Sequence, residues 1–352
     1  MHERTSLGEL DLSILHALQI APLAPWQAIA DVLRVDHTTV ARRWARMEQA
    51  GLSWLVGYYP RRDRLCRAAV SVRCRAADTW RLAAEIAADT HANSVDVVDG
   101  DADLALRVGA VDLEQLAGYV NGRLARLPGV RDVRTTVITR RFEDGRRWRL
   151  DALTREQAAR LTALHPDPVG DGAPFGPEEW SMLAVLGPRP RCSANELAER
   201  TGTSAATARR RRRRMMRDGT LQVRCEVAGP AAGWPVQVSF TAGCPAEHLA
   251  RAAAAICALP STRSCEATTG SSNVHVVSWV RDVADVPLLE LTLSACAPGF
   301  VVTERSVVLA PVKRFGRLLD RAGRRVAYVP MNVWTNRPEL GRFPHAPTPV
   351  AN

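Results

Sequence analysis

The chain says nearly the same thing twice. Leu7-Gly-Glu-Leu-Asp-Leu-Ser-Ile-Leu15 and Phe175-Gly-Pro-Glu-Glu-Trp-Ser-Met-Leu183 share one pattern at an offset of 168 residues. The offset holds at Ala30/Ala198, Thr39/Thr207, Arg42/Arg210, Met47/Met215, Gly51/Gly219 and Val70/Val238. It drifts to 170 at Gly100/Gly270, Asp112/Asp282 and Pro128-Gly129/Pro298-Gly299, the width of one small loop insertion. Register kept over so many positions marks a duplicated unit, and the period is too long for a solenoid. Each copy is therefore expected to be a folding unit in itself.

Within the first copy, Leu7, Leu10, Ile14, Leu15 and Leu18 recur with helical period, and Pro22 and Pro25 break the run. Trp26–Leu33 supplies a second short helix. After Arg34-Val35-Asp36 comes a third, from His37 to Ala50, with Asp36 as its N-cap and Gly51 as its stop. Two short helices across a tight turn, with a third ahead of them, make a helix-turn-helix. The second copy repeats it over Gly176–Leu186, Ala194–Arg200 and Ala205–Arg217, with turn Thr201-Gly202-Thr203 and N-cap Ser204. Arg34 stands where the second copy has Gly202; a left-handed backbone there costs arginine on the order of 1 kcal/mol.

The pattern then changes. Cys66–Cys74 reads as strand, Asp78–Ala88 as helix, and Ser94–Val98 and Asp103–Gly109 as strands around a turn. Asp112–Leu127 follows as helix and Val130–Thr139 as strand. That order, β-α-β-β-α-β, is ferredoxin-like. It returns over Trp234–Thr241, Ala246–Leu259, Thr262–Ala267, Asn273–Val280, Val283–Cys296 and Phe300–Leu309. The expected class is α+β: helix-turn-helix (winged) domains at 1–60 and 175–228, ferredoxin-like domains at 61–145 and 229–312. A linker at 146–174 contains a helix over Leu150–Leu164, and a tail at 313–352 ends Pro-rich and disordered.

Composition is that of a soluble globular protein, 46% hydrophobic and 24% charged. The formal charge of +10 is carried by arginine, since Lys313 is the one lysine. Such an excess suits a polyanionic partner, yet it also follows from GC-rich coding, so location must decide. No secretory stretch and no membrane-length apolar run occurs, which points to the cytoplasm. Eight cysteines without a C-x-x-C pair read as buried thiols, and the scattered histidines form no ligand set. Nothing here calls for a metal or cofactor.

A helix-turn-helix followed by β-α-β-β-α-β resembles the leucine-responsive/asparagine regulators, the Lrp/AsnC family. The residues that carry the resemblance are Leu10-Asp11, Ile14-Leu15, Ile29-Ala30, Thr39-Val40-Ala41-Arg42-Arg43, Met47-Glu48, Gly51-Leu52, Gly100-Asp101-Ala102-Asp103-Leu104 and Leu127-Pro128-Gly129-Val130. The resemblance covers Leu7–Thr139 and Phe175–Leu309. It implies a DNA-binding repressor or activator, an effector domain for small molecules such as amino acids, and assembly through that domain's sheet. Two fused units imply an intrachain pseudo-dimer that goes on to form a larger homo-oligomer.

Double-stranded DNA demands cations for its phosphates and a helix whose first turns reach base edges. The third helix offers Thr38, Thr39, Arg42, Arg43 and Arg46; its counterpart offers Ser204, Thr207, Arg209, Arg210, Arg211, Arg213 and Arg214. An arginine run is otherwise a solvated face, but here it lies inside the reading helix. The inward set Val40, Trp44 and Met47 becomes Ala208, Arg212 and Met215, so the second motif is more charged and less well packed. The first copy is expected to supply discrimination and the second phosphate affinity.

The resemblance also places an effector pocket at the loop between the middle strands. Gly100, Asp101 and Asp103 match it, and Gly270 and Asn273 are their counterparts, although Asp-Gly-Asp is equally an ordinary hairpin turn. A rival is an enzyme of the same fold. Sirohaem decarboxylases also occur as fused pairs and rely on histidine and arginine clusters, whereas His91, His248 and His275 do not recur between copies. A third reading, an oligomerisation partner that binds no DNA, fits poorly with arginines in both third helices. The reading taken is a regulator and not an enzyme.

Overall fold

The computed structural model of the protein describes residues 7–60, 65–143, 145–165 and 176–331. Residues 166–174 of the expected linker and the chain beyond Met331 lie outside the described residues.

The first copy opens with α1 (Glu9–Ile20), α2 (Trp26–Leu33) and α3 (His37–Gln49). Ile14, Leu15, Leu18, Ile29, Val40 and Met47 are fully buried where these helices meet. Each such side chain is worth roughly 1.5–3 kcal/mol in burial. Asp36 caps α3 as expected, accepting from Thr38 N at 2.7 Å. That bond and one from the Thr38 hydroxyl pull the carboxyl below its ordinary range. Arg34 adopts the left-handed conformation, φ 56, as Gly202 does with φ 65. After Gly51, β1 (Ser53–Tyr58) is buried along its whole length.

The ferredoxin-like unit follows as β2 (Cys66–Cys74), α4 (Thr79–Ala87), β3 (Ala92–Val98), β4 (Leu104–Ala110), α5 (Leu113–Ala117) and β5 (Val130–Glu143). The expected single helix over Asp112–Leu127 does not form. After α5 the backbone widens into i→i+5 turns over Gly118–Arg123 and then a tight turn at Leu124–Arg126. Gly118 and Gly122 weaken the α-helix there, each costing about 1 kcal/mol relative to alanine. The linker helix is shorter than expected, α6 (Arg155–Ala163), capped by Thr154. The residues before it dock on α1: Leu150 N donates to Gln19 Oε1 and Ala152 N to His16 Nδ1, both at 3.0 Å.

The second copy runs α7 (Pro177–Leu186), α8 (Ala194–Thr201), α9 (Ala205–Arg217), β6 (Gln222–Val227), β7 (Val236–Gly243), α10 (Leu249–Ala258), β8 (Thr262–Thr268), β9 (Val274–Val280), α11 (Val286–Ser294) and β10 (Val301–Arg314). Two short strands close the described chain, β11 (Arg317–Leu319) and β12 (Arg325–Tyr328).

The copies join twice, each time about one pseudo-two-fold axis. First, β1 pairs antiparallel with β6, and Val56 sits opposite Arg224, its own counterpart in the repeat. Second, the ferredoxin-like sheets fuse. Strands run β10-β3-β4-β2-β5-β8-β9-β7, and β7 pairs back to β10, closing a ring of eight. The long strands β5 and β10 each serve both sheets. Ile138 meets Thr268 in one junction and Val308 meets Val98 in the other, the same contact by repeat. The helices cover the outside, where Val70, Leu82, Ile86 and Leu106 form one core and Val238, Phe240, Ile256 and Val276 the other.

The expected tail begins as structure. Arg325 N donates to Gly51 O at 2.8 Å and its guanidinium to Glu48 O at 2.6 Å, while Arg317 donates to Pro188 O at 2.6 Å. Residues 313–331 thus brace both helix-turn-helix units. A side chain at Gly51 (φ 67) would collide with Arg325 O, so this close approach requires glycine.

Candidate nucleic-acid interface and barrel interior

Both reading helices present charge outward, and acids partner part of it. In α3, Arg43 and Arg46 donate to the carboxylate of Asp11 in α1 at 3.0 and 2.8 Å. The second copy repeats the tether: Arg214 pairs with Glu179 at the positions of Arg46 and Asp11, while Arg211, the counterpart of Arg43, pairs with the neighbouring Glu178. These four arginines tie the reading helix to the helix that carries it. Arg42, Arg209, Arg210 and Arg213 are exposed and have no ion-pair partner among the described residues. Arg212, at a packing position, snorkels: half-buried, it donates to Cys192 O at 2.7 Å.

Of the polar first-turn residues, Thr38 is spent on its cap. Ser204 Oγ accepts from Thr207 N at 3.2 Å and lies 3.0 Å from the Thr207 hydroxyl. Thr39 stays half-exposed in the first turn of α3. The packing asymmetry read from the sequence is visible: the core around α1–α3 reaches Trp148 and Trp279 at the barrel. That around α7–α9 is a smaller cluster of its own, from Met182 to Leu221. Arg191 bridges the two units, its guanidinium 3.8 Å from the Trp26 ring while it donates to Pro22 O and Ala24 O.

Gly100 and Gly270 both sit at turn positions, with φ 86 and φ 104. Asp103 and Asn273 do the same structural work in each copy, accepting from Cys74 N at 2.7 Å and Cys244 N at 2.9 Å. The Gly100 hairpin packs across the interface on β10, where Asp99 accepts from Val307 N at 2.6 Å. Asp101 points to solvent there.

The sequence missed a cluster inside the ring of strands. Arg107, Asp96 and His275 alternate along their strands with residues of the helix-side cores, so they face the interior. Arg107 Nη2 lies 2.7 Å from His275 Nδ1, and burial, reinforced by Arg107, holds that imidazole well below its ordinary range and neutral. Glu266 takes Arg141 Nε at 3.1 Å and Arg107 Nη2 at 3.4 Å. Burial raises the Asp96 carboxyl to about 6, against the pull of Arg314 and Arg107. Arg107 and His275 come from different copies, which is why spacing within either copy could not reveal them.

The architecture defines a class: two helix-turn-helix units fused to a two-fold barrel. Residues 7–48 match the AsnC-type helix-turn-helix domain, 67–148 the Lrp/AsnC ligand binding domain, and 182–222 a winged helix-turn-helix DNA-binding domain. The chain is a tandem assembly of Lrp/AsnC-type domains, those of a DNA-binding regulator. No curated protein matches the sequence. Among solved structures, the siroheme decarboxylase NirDL is similar over 95% of this chain and 98% of its own, at 14% identity and TM-score 0.57. It has the same likeness in its complex with an iron-uroporphyrin III analogue. AsnC of E. coli matches 38% of this chain and 93% of its own at 15% identity, TM-score 0.32.

One expectation falls here. The reading of the chain as no enzyme does not stand, because the tandem fold spanning the whole molecule also houses a decarboxylase. The histidine–arginine contact that seemed missing is present as His275–Arg107. No described helix is long and apolar enough to cross a membrane.

Proposed function

We propose that this protein is a sequence-specific transcriptional regulator that reads double-stranded DNA through α3 and α9 and is modulated by a small effector such as an amino acid. One observation carries the reading. Exposed guanidiniums lie on the outer faces of both reading helices, and the β1–β6 ladder fixes the two units to one another. A duplex then meets two helices in fixed relation, as it would on a dimer. Arg42, with Thr39 beside it, reaches for base edges from the better-packed first copy. Arg209, Arg210 and Arg213 contact phosphates from the second. The hairpins at Gly100, Asp101 and Gly270 take the effector, with Asp103 and Asn273 holding their shape, and the pseudo-dimers associate further through their barrels in the cytoplasm.

The test is footprinting on the DNA upstream of the protein's own coding sequence, with and without a panel of amino acids. A bounded, salt-sensitive footprint that an amino acid alters supports the reading; uniform coverage at every sequence overturns it.

A second reading rests on the barrel interior. Arg107, Arg314 and Arg141 beside neutral His275 and a raised Asp96 suit a carboxylated substrate, and NirDL was solved with an iron-uroporphyrin III analogue. In this reading the chain decarboxylates an iron tetrapyrrole. Release of carbon dioxide from such a substrate, lost in His275→Ala, supports it; no binding by visible absorbance refutes it.

A further inference from the structure

The repeat diverges on the outside of the first ferredoxin-like unit. A groove of about 850 Å³ lies between the end of α4, the start of β3 and the widened turn after α5. Its wall holds Asp89, His91, Tyr119 and Arg123. At the matching positions of the second copy stand Leu259, Ser261, Leu289 and Leu293. The correspondence is structural as well as textual: Gly109 N donates to His91 O and Trp279 N to Ser261 O, each at 2.9 Å. One copy has filled this place with leucine, and the other has furnished it with polar groups around open space.

Three further features concentrate there. His91 stacks on Tyr119 at 4.8 Å between centroids. Its residue is 8% exposed, and its enclosed Nε2 has no hydrogen-bond partner. Burial holds that imidazole below its ordinary range, so the neutral ring has one nitrogen free to accept. The backbone departs from α-helix over Gly118–Arg123, whereas α11 stays regular. Single turns of this kind concentrate at functional sites. Added side-chain carbons at Gly118 and Gly122 would meet nothing within 4 Å, so the glycines leave the groove open.

The sign of the charge selects the ligand. Asp89, Asp112 and Glu114 line the groove against one cation, Arg123, which Glu85 and Asp89 already engage at 3.1 and 3.4 Å. Asp89 also accepts from the Tyr119 hydroxyl at 2.9 Å. An anion would meet net negative charge, whereas an ammonium group gains carboxylates and the faces of stacked rings. We propose that this groove of the first copy binds a small organic amine, its ammonium at the carboxylates and its apolar body along His91 and Tyr119. The site stands apart from the Gly100 and Gly270 hairpins and depends on neither function proposed above.

The experiment uses the full chain at pH 7.5 and three probes of one shape: phenethylammonium, neutral 2-phenylethanol and anionic phenylacetate. Calorimetry is expected to give saturable binding for phenethylammonium alone. Gly118→Leu writes the second copy's residue into open space and should weaken that binding about tenfold or more, with thermal stability kept. Glu114→Gln, a surface change that leaves the fold alone, should weaken it by about threefold. Equal binding of the alcohol or the acid overturns the proposal, as does no binding by any probe. Phenethylammonium binding that survives both substitutions overturns it as well.

Discussion

Replacing Arg209, Arg210 and Arg213 by alanine removes three cations that no acid of the described chain neutralises. Each phosphate contact contributes about 0.9 to the slope of log affinity against log salt. If all three guanidiniums meet phosphates, the slope becomes shallower by about 2.7. Between 50 and 200 mM salt the wild-type advantage should then shrink by roughly 40-fold, the fourfold salt change raised to that power. Fluorescence anisotropy on a labelled duplex from the upstream region, titrated at several salt concentrations, reads this directly. The preferred sequence should stay the same, because α9's first turn spends Ser204 and Thr207 on each other. Arg211→Ala/Arg214→Ala is the control: both are tied to Glu178 and Glu179, so the slope should move far less while α9 loosens. A slope carried by the tethered pair would refute the argument, as would a changed consensus with the slope intact.

Three other perturbations follow from single contacts. Lys313 is fully buried, its amine donating to Asp89 O, and burial lowers its pKa from 10.5 to about 7, offset in part by Asp89. The unfolded chain binds that proton more tightly, so from pH 7 to 10.5 wild-type stability rises with pH, and below pH 7 the whole charging cost remains. Lys313→Met should therefore gain on wild type by on the order of 4–5 kcal/mol more at pH 6 than at pH 10.5; parallel stability curves would contradict this. Asp11→Asn releases Arg43 and Arg46, which should cost about 1–2 kcal/mol given the half-exposed guanidiniums, and steepen the salt slope of DNA binding. An unchanged melting temperature would count against the tether. Arg34→Gly relieves a left-handed arginine and should stabilise by about 0.5–1 kcal/mol in denaturant melts; a loss would mean that Arg34 makes contacts of its own.

The helix-turn-helix was legible because its signals are local. Asp36 and Ser204 announce caps, Gly51 and Gly219 stops, and the offset between copies carried Arg34 onto Gly202. The strands of the ring were legible as strands, since alternation needs only near neighbours. Their closure was not. It depends on β5 and β10 each serving two sheets, a pairing across more than a hundred residues that leaves no periodic trace. The buried β1 and β6 passed unread for a related reason: Ser53-Trp-Leu-Val-Gly-Tyr58 has no alternation, because both of its faces are covered. The tethers were within reach. Asp11 and Glu179 occupy the same place in the repeat, as do Arg46 and Arg214, so a charge pair kept twice pointed to contact. Gly118 and Gly122 likewise argued against one unbroken helix.

The pseudo-two-fold sorts scaffold from function. What both copies keep is what the fold needs: the Val56–Arg224 crossing, the paired corners at Ile138 and Val308, the clamps made by Asp103 and Asn273. Where the copies differ, no symmetric requirement constrains them, and there chemistry accumulates. Arginines have multiplied in α9 but not in α3. A histidine from one copy meets an arginine from the other inside the ring, and an acidic groove opens in the first unit where leucines close the second. A structural role alone would let such positions drift toward any residue that packs. Instead Asp89 engages both Tyr119 and Arg123 at the groove, and His91 Nε2 behind them keeps no partner, a polar arrangement that packing alone would have replaced with leucine as the second copy did.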